Sequence, residues 1–280
     1  MFKRNKQVGV TLTTFILLAC IGLVQHAFAQ QPTFVSKDYT ALFERHGVTG
    51  CFVLHEINSA KYTVYNDSLI HQGATPASTF KIVNSLIALQ TGVARNETFA
   101  LKWDSVDRRN PNWNKDQTMR EAFGNSTVWF YQEIARRVGK EEMKKRLDQL
   151  QYGNADTSGG IDKFWLSGGL RVSPIEQIDF LSRLYTRALV RDGFALEHIE
   201  TVKAMMLRED AKTHKLYGKT GWGIQDGANI GWFVGFVESN GKAYAFATCV
   251  RTDDDEDHNF ARSRIDITKA ILVDLGFIDN

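Results

Sequence analysis

Apolar and polar residues alternate in short runs near both ends of the chain, the pattern of half-buried β-strands. The runs are Gly50–Glu56, Lys61–Tyr65, Lys215–Thr220, Ile230–Glu238 and Lys242–Val250. Asn240-Gly241, between the last two, is a strong signal for a type I′ hairpin turn. The pattern therefore predicts one antiparallel sheet of about five strands.

Elsewhere apolar residues recur every three or four positions, which is typical of amphipathic helices. Helices are expected at Lys37–Arg45, Phe80–Leu89, Val128–Val138, Met143–Leu150, Ile175–Leu189, Ile199–Leu207 and Arg264–Leu275. The best-marked start has Ser173 and Glu176 in a capping box, with Pro174 at the first helical position. The expected fold class is α/β of the α+β kind. Terminal helices flank the central sheet, and an all-helical lobe at roughly residues 92–207 is inserted into it.

The first 29 residues have the three parts of an export signal. These parts are the basic residues Lys3, Arg4 and Lys6, the apolar run Val8–Val24 and the small residues of Ala27-Phe28-Ala29. We expect cleavage near Gln30, a periplasmic protein, and one catalytic domain at 30–280. An uncleaved anchor would need a longer apolar span, and lipoprotein processing at Cys20 is a further alternative.

Composition narrows the choice of partners. The chain has 34 basic and 32 acidic residues, so removal of the three basic residues of the signal leaves a formal charge of −1. A net charge of −1 does not indicate a basic surface for nucleic acid, so no nucleic-acid partner is expected. No membrane partner is expected after cleavage. The sequence does not predict the oligomeric state.

Neither metal ligands nor a disulfide are strongly indicated. The histidines show no zinc-site spacing, and the acidic run Asp253–Asp257 predicts a solvated loop rather than a calcium site. Cys51 and Cys249 each lie in an apolar strand-like run, so two buried thiols compete with one disulfide in an oxidising compartment. No metal is therefore expected.

Ser78-Thr79-Phe80-Lys81 begins the first interior helix and places a hydroxyl and an amine one turn apart on the same face. The positive end of the helix dipole and burial among apolar neighbours both disfavour an ammonium, so Lys81 is expected to be a neutral base for Ser78. An S-x-x-K match alone also arises by chance in a chain of this composition.

Two further motifs follow in order. Ser126-Thr127-Val128 lies at another helix start, where Ser126 is either an ordinary N-cap or a second hydroxyl for proton transfer. Lys219-Thr220-Gly221 ends a strand, where Lys219 and Thr220 could bind an anionic group and Gly221 would admit a substrate close to the backbone. The three motifs together indicate acylation of a nucleophilic serine.

From about Phe34 to Phe277 the chain resembles the class D β-lactamases, the oxacillinase type, within the serine β-lactamase and penicillin-binding transpeptidase fold. The three motifs carry the resemblance, together with Tyr152-Gly153-Asn154 and Phe164-Trp165-Leu166. Class A enzymes have S-D-N at the second motif, which Thr127 and Val128 exclude. Ser167-Gly168-Gly169 departs from the family's usual E-G and leaves the shape of that loop open.

The resemblance implies hydrolysis of β-lactam antibiotics through an acyl-enzyme on Ser78. It implies that Lys81 is carbamylated by carbon dioxide (N6-carboxylysine) and is in that form the general base for both acylation and deacylation. It also implies that Trp165 holds the carbamate and that no other cofactor takes part.

The remaining implied roles concern the substrate. Ser126 would protonate the lactam nitrogen, and backbone N–H groups of Ser78 and Trp222 would form the oxyanion hole. Carboxylate binding would fall to Lys219, Thr220 and Arg264, with Gly221 beside them and Arg262 as a competitor for the arginine role. Val128 and Leu166 would cover the lysine.

Two alternatives use the same fold. One is a penicillin-sensing domain that acylates and stalls, and the other is a peptidase acting on D-Ala-D-Ala peptides. The substrate spectrum is not predicted.

Overall fold

The chain forms nine β-strands in the part that a computed structural model describes, namely Met1, residues 31–254 and residues 259–279. They are β1 (Thr33–Ser36), β2 (Thr49–Glu56), β3 (Lys61–Tyr65), β4 (Ala100–Leu101), β5 (Gln117–Thr118), β6 (Leu207–Asp210), β7 (His214–Gln225), β8 (Ala228–Ser239) and β9 (Lys242–Thr252). Seven of them build one sheet in the order β1-β3-β2-β9-β8-β7-β6, and β4 pairs with β5. The predicted signal peptide and residues 255–258 of the acidic loop lie outside the described residues.

The helices within the same residues are α1 (Thr40–Arg45), α2 (Lys81–Gln90), α3 (Met119–Gly124), α4 (Val128–Val138), α5 (Lys140–Leu150), α6 (Pro174–Tyr185), α7 (Leu196–Met206) and α8 (Phe260–Asp274). Helices α3 to α7 all lie between β5 and β6 in sequence, which agrees with an inserted helical region. None of the helices in the described residues is long and apolar enough to cross a membrane.

The sheet is covered on both faces. Successive residues of a strand point to opposite sides, so each strand contributes side chains to two apolar clusters. Phe246 of β9 belongs to the apolar cluster that holds Phe43 of α1 and Ile271 of α8. Its neighbour Ala247 belongs to the larger cluster on the other face, with residues of α2, α4 and α6. The mixed α and β class, with terminal helices on the sheet, is confirmed.

All five predicted strands are present, and Asn240 and Gly241 both have the positive φ that a type I′ turn requires. The sheet has two more strands than the sequence predicts. One is β1, which pairs parallel to β3, and the other is β6, which pairs with the start of β7. Each has four residues, and all of β1 is exposed, so neither shows an alternating apolar pattern.

Helix boundaries differ from the prediction where local chemistry intervenes. The capping box of Ser173 and Glu176 is present, but α6 ends at Tyr185 because Arg187 adopts a left-handed φ of 63°. Residues 188–190 then form a separate 3₁₀ turn. Cys51 and Cys249 face each other in the β2–β9 register, and both are free thiols.

Candidate active site

Ser78 lies in a 3₁₀ turn, Ala77–Phe80, that runs directly into α2. Ala77 before it is fully buried with a left-handed φ of 47°, and its N–H donates to the carbonyl of Trp165 at 2.9 Å. A strained residue of this kind persists only where its surroundings fix it. The turn therefore holds the Ser78 hydroxyl in a set position at the start of the helix.

Lys81 is the first residue of α2, and its Nζ lies 2.8 Å from Ser78 Oγ. Its side chain is only 1% exposed, and the ring of Tyr131 lies beside Nζ at 5.3 Å. Burial lowers the pKa of Lys81 from 10.5 to about 7. Near neutral pH a large share of Lys81 is therefore the free amine, which can accept the Ser78 proton.

Ser126 occupies the corner between α3 and α4 with a left-handed φ of 55°. Its Oγ accepts from Lys219 Nζ at 3.0 Å, and the same ammonium or amine donates to the carbonyl of Thr220. The N-cap of α4 is Thr127, so the interpretation of Ser126 as an ordinary N-cap is wrong. The second and third motifs thus meet at one pair of side chains.

Lys219 on β7 is fully buried. Its pKa lies well below the usual value because of burial first, and then because of the positive charges of Lys81, Arg208 and Arg264. Among the described residues, no carboxylate contributes to this shift. The site is therefore electropositive, and it favours either an uncharged Lys219 or a bound anion.

Gly221 allows β7 to approach the nucleophile turn. A Cβ on Gly221 would lie 2.8 Å from the carbonyl oxygen of Pro76 and 3.0 Å from Cγ2 of Thr79. Those distances are shorter than a normal contact, so only glycine fits without a shift of the backbone. Thr220, half-buried beside it, completes the third motif.

Arg264 on α8 lies beneath Trp222, with its guanidinium 5.9 Å from the indole ring. It is only 8% exposed, its buried Nε and Nη1 have no hydrogen-bond partner among the residues that the structure describes, and burial lowers its pKa to about 10. The competing Arg262 has a side chain that is 81% exposed and pairs with Asp266 at 3.3 Å. Between the two, Arg264 is the arginine beside the site.

Trp165 lies in the loop that connects α5 to α6, and it is 1% exposed. Its ring stacks on Phe80 at 5.2 Å and meets Phe164 edge-on. Its carbonyl accepts from Ala77 N–H and from the Thr75 hydroxyl. Phe80 directly precedes Lys81, so the Trp165 ring packs against the first turn of the nucleophile helix.

The glycines after Leu166 explain the loop shape that the sequence left open. Asn154 Nδ2 donates to the carbonyl of Gly169 at 2.9 Å, while Asn154 Oδ1 accepts from the Arg171 N–H. A Cβ on Gly168 would overlap the carbonyl of Ser158, and one on Gly169 would overlap the Asp156 carboxylate. The loop thus closes upon itself.

Val128 and Leu166, predicted to cover the lysine, are both half-buried. Val128 begins α4 directly after the Ser126 corner, and the Leu166 carbonyl accepts from the Thr75 hydroxyl at 3.3 Å. The backbones of both therefore lie in the segments that form the site.

Sequence analysis missed three residues of this region, namely Tyr131, Arg208 and Gln117. None belongs to a recognisable motif. Tyr131 could have been suspected from its place one helical turn after Val128. In the described part of the chain, no group of three or more His, Cys, Asp or Glu residues could hold a metal ion.

Residues 27–272 match the family of penicillin-binding protein transpeptidase domains. The chain is 42% identical over 220 residues to the probable β-lactamase YbxI of Bacillus subtilis, covering 79% of this chain and 80% of that protein. It is 38% identical over 233 residues to the β-lactamase OXA-48 of Klebsiella pneumoniae, covering 83% and 86% of the two chains.

It also resembles a regulator. The regulatory protein BlaR1 of Bacillus licheniformis is 34% identical over 216 residues, which cover 77% of this chain and 35% of BlaR1. Among solved structures, a class D β-lactamase from Nostoc superposes with a TM-score of 0.80 at 41% identity, over 85% of this chain and 98% of that one. The C-terminal domain of the BlaR penicillin receptor superposes with a TM-score of 0.82 at 30% identity, over 89% and 98%.

Proposed function

Since the chain belongs to the penicillin-binding transpeptidase family, as a class D serine β-lactamase, we propose that Ser78 is its nucleophile and a carbamate on Lys81 its base. The single observation that carries the proposal is the contact of a buried, largely uncharged Lys81 with Ser78 Oγ at 2.8 Å. Such a pair activates a hydroxyl at neutral pH without an external base.

In acylation, Ser78 Oγ attacks the lactam carbonyl carbon while Lys81 takes its proton. The C–N bond of the ring then breaks, and the nitrogen receives a proton from Ser126. Lys219, charged while the substrate carboxylate is bound, can replenish that proton across 3.0 Å. The product is an ester of Ser78 with an opened ring. Backbone N–H groups of Ser78 and Trp222 are proposed to hold the carbonyl oxygen as it becomes an oxyanion.

A carbamate on Lys81 is supported by three features of its surroundings. The amine is buried and largely neutral, as reaction with carbon dioxide requires. Trp165 stacks on Phe80, the residue before Lys81, at 5.2 Å. The buried Oδ1 of Asn84, one helical turn from Lys81, has no hydrogen-bond partner within the described residues and could accept from the N–H of a carbamate. A carbamate would supply the base for both steps, since it would take the Ser78 proton in acylation and activate water for deacylation.

The substrate carboxylate is proposed to bind beside β7. Lys219, Thr220 and the unpartnered guanidinium atoms of Arg264 provide donors there. A carboxylate in this position would satisfy buried groups that are otherwise costly to leave without partners. β-Lactams that carry such a carboxylate are therefore the expected substrates.

The similarity to the BlaR receptor domain favours one second candidate, a sensor that acylates and then stalls. A chromogenic cephalosporin separates the two functions, because a hydrolase turns over many equivalents and a sensor gives a burst of one. A D-Ala-D-Ala peptidase would release D-alanine from peptides at a comparable rate. Ser78→Ala should abolish covalent labelling by penicillin with an unchanged melting temperature, and undiminished labelling would refute the nucleophile.

We also propose that the protein acts in the periplasm after cleavage of residues 1–29, on the basis of the basic, apolar and small-residue segments. N-terminal sequencing of the exported protein should begin at or near Gln30. A lipidated Cys20 would replace this proposal with a lipoprotein.

A further inference from the structure

The corner that carries Ser126 is held in a conformation that its own residue does not favour. A φ of 55° is uncommon for a residue other than glycine, asparagine or aspartate. Ser126 is only half-buried, and its hydroxyl is engaged by Lys219 from a different element. Contacts made by neighbouring residues must therefore maintain the corner.

The backbone N–H groups of Ser126 and Thr127 donate to carbonyls of α3, and the side-chain contacts of the two flanking residues converge on one atom, Oε1 of Gln117. It accepts from the Thr127 hydroxyl at 2.8 Å and from Asn125 Nδ2 at 3.3 Å. Asn125 and Thr127 are the residues immediately before and after Ser126. The two donors therefore fix both flanks of Ser126 to the same acceptor.

The hydrogen bond from Thr127 has replaced the one that its position predicts. Thr127 is the N-cap of α4, where a threonine hydroxyl normally accepts from the first turn of the helix. Here no side-chain cap bond forms, and the buried hydroxyl donates to Gln117 instead. The Thr127 side chain therefore links the corner to β5 instead of capping α4.

Gln117 is itself fixed. It is 1% exposed, it pairs with Leu101 across the short β4–β5 sheet, and its Nε2 donates to the carbonyl of Trp113 at 3.4 Å. The Trp113 indole in turn donates to the Asn125 carbonyl at 3.0 Å. Gln117, Trp113 and Asn125 are therefore joined in a closed ring of hydrogen bonds next to Ser126.

We propose that Gln117 is a positioning residue that holds the Ser126 hydroxyl at Lys219 for protonation of the lactam nitrogen, an inference that rests on the proposed function. Ser126 acts only while the C–N bond breaks, which belongs to acylation. Loss of the Gln117 acceptor removes the side-chain hydrogen bonds of both flanking residues and leaves only the backbone bonds to α3 and the Trp113 bond to Asn125, so Ser126 can shift away from Lys219. Acylation should slow, while hydrolysis of the Ser78 ester should not.

The test measures acylation and deacylation separately by stopped-flow and by mass spectrometry of the acyl-enzyme. Gln117→Leu removes both hydrogen-bonding ends at similar volume and should slow acylation about 10- to 100-fold, a part of the roughly 10²- to 10⁴-fold that a positioned proton donor contributes. Deacylation should stay within about 2-fold. Gln117→Glu keeps acceptor oxygens for Thr127 and Asn125 and should recover most of the acylation rate.

Two further variants control for stability. Thr127→Val removes one hydroxyl at constant shape and should slow acylation in the same selective way, so it tests the proposal even if Gln117→Leu folds poorly. Gln90→Leu removes a comparable glutamine that links α2 to Gly193 and Ala195, and it should lower the melting temperature without changing the acylation rate.

An unchanged acylation rate in both Gln117→Leu and Thr127→Val would overturn the proposal. Equal losses in acylation and deacylation would overturn it too, because they would show general damage. Failure of the unmodified protein to acylate at all would instead refute the proposed function, so the two failures are distinguishable.

Discussion

A Cβ on Gly168 would lie 2.5 Å from the α-carbon of Phe164 and 2.3 Å from the carbonyl oxygen of Ser158, so any side chain at position 168 would overlap backbone atoms. This contact closes the loop that carries Trp165. Gly168→Ala should therefore displace the loop, destabilise the protein by about 1–3 kcal/mol, as overpacking does, and slow deacylation. Melting temperature and steady-state turnover report the two effects. Gly124→Ala is the control, because nothing lies within 4 Å of its Cβ, and equal behaviour of the two variants would contradict this account.

Burial of Lys81 predicts a pH-dependent cost to stability. Its pKa is lowered to about 7 by burial, so between about pH 7 and 10.5 the unfolded chain binds more protons at this residue than the folded one. Stability should therefore rise with pH across that window. Lys81→Met should be inactive yet more stable than the unmodified protein at pH 6, by up to about 5 kcal/mol.

That difference in stability should shrink as the pH approaches 10.5, in buffer depleted of carbon dioxide. Denaturant unfolding from pH 6 to 10 measures it. Lys140→Met, which removes an exposed lysine, should show no such trend. A difference between Lys81→Met and the unmodified protein that stays constant with pH would show that Lys81 is not destabilised by charge burial.

Turnover should depend on bicarbonate and on the Trp165 indole N–H. Removal of carbon dioxide should slow steady hydrolysis, and added bicarbonate should restore it. Trp165→Phe keeps the stacking on Phe80 and removes the donor, so acylation should persist while deacylation falls about 10- to 100-fold, giving a burst and then a stall.

Trp103→Phe removes an indole N–H that donates to Val106 instead, and it should turn over normally. Steady turnover by Trp165→Phe in bicarbonate-free buffer would show that another group activates the water.

Arg264 and Arg262 provide a matched pair for carboxylate binding. Arg264→Ala should lower kcat/KM for a penicillin about 10- to 100-fold, mainly through KM, because a charge-assisted contact is lost. Arg262→Ala should have little effect, since that side chain lies in solvent. With a penicillin methyl ester, which lacks the charge, the Arg264 effect should largely vanish. An equal loss on the acid and the ester would assign Arg264 a packing role beneath Trp222.

The strands and helices with clear periodicity were predictable, whereas contacts between elements were not. Residue spacing alone placed Lys81 within reach of Ser78, because both lie on one helical turn. The choice between Arg264 and Arg262 needed the buried face of α8. Arg264 shares that face with Ile267 and Ile271, a periodicity that the sequence already contains and that points away from Arg262.

Gln117 shows what sequence could not supply. Nothing in its neighbourhood marks it, since a glutamine before a helix is ordinary and its importance arises from donors eight and ten residues away. The left-handed φ of Ser126 was equally hidden, because serine does not demand it. Both depend on how β5 and the α3–α4 corner pack.

The sheet order has a consequence for the timing of assembly. Strand β2 lies between β3 and β9, and the partner of Ser126 sits on β7, so an early strand is completed only by the last one. During synthesis, which begins at the N-terminus, Ser78 and Lys81 are made long before the strands that surround them, such as β7. Truncation before β8 should therefore leave an unfolded, inert polypeptide in which the nucleophile is an ordinary serine. Activity should therefore appear only after the last strand has paired. Recovery of turnover after dilution from denaturant then reports completion of the whole sheet.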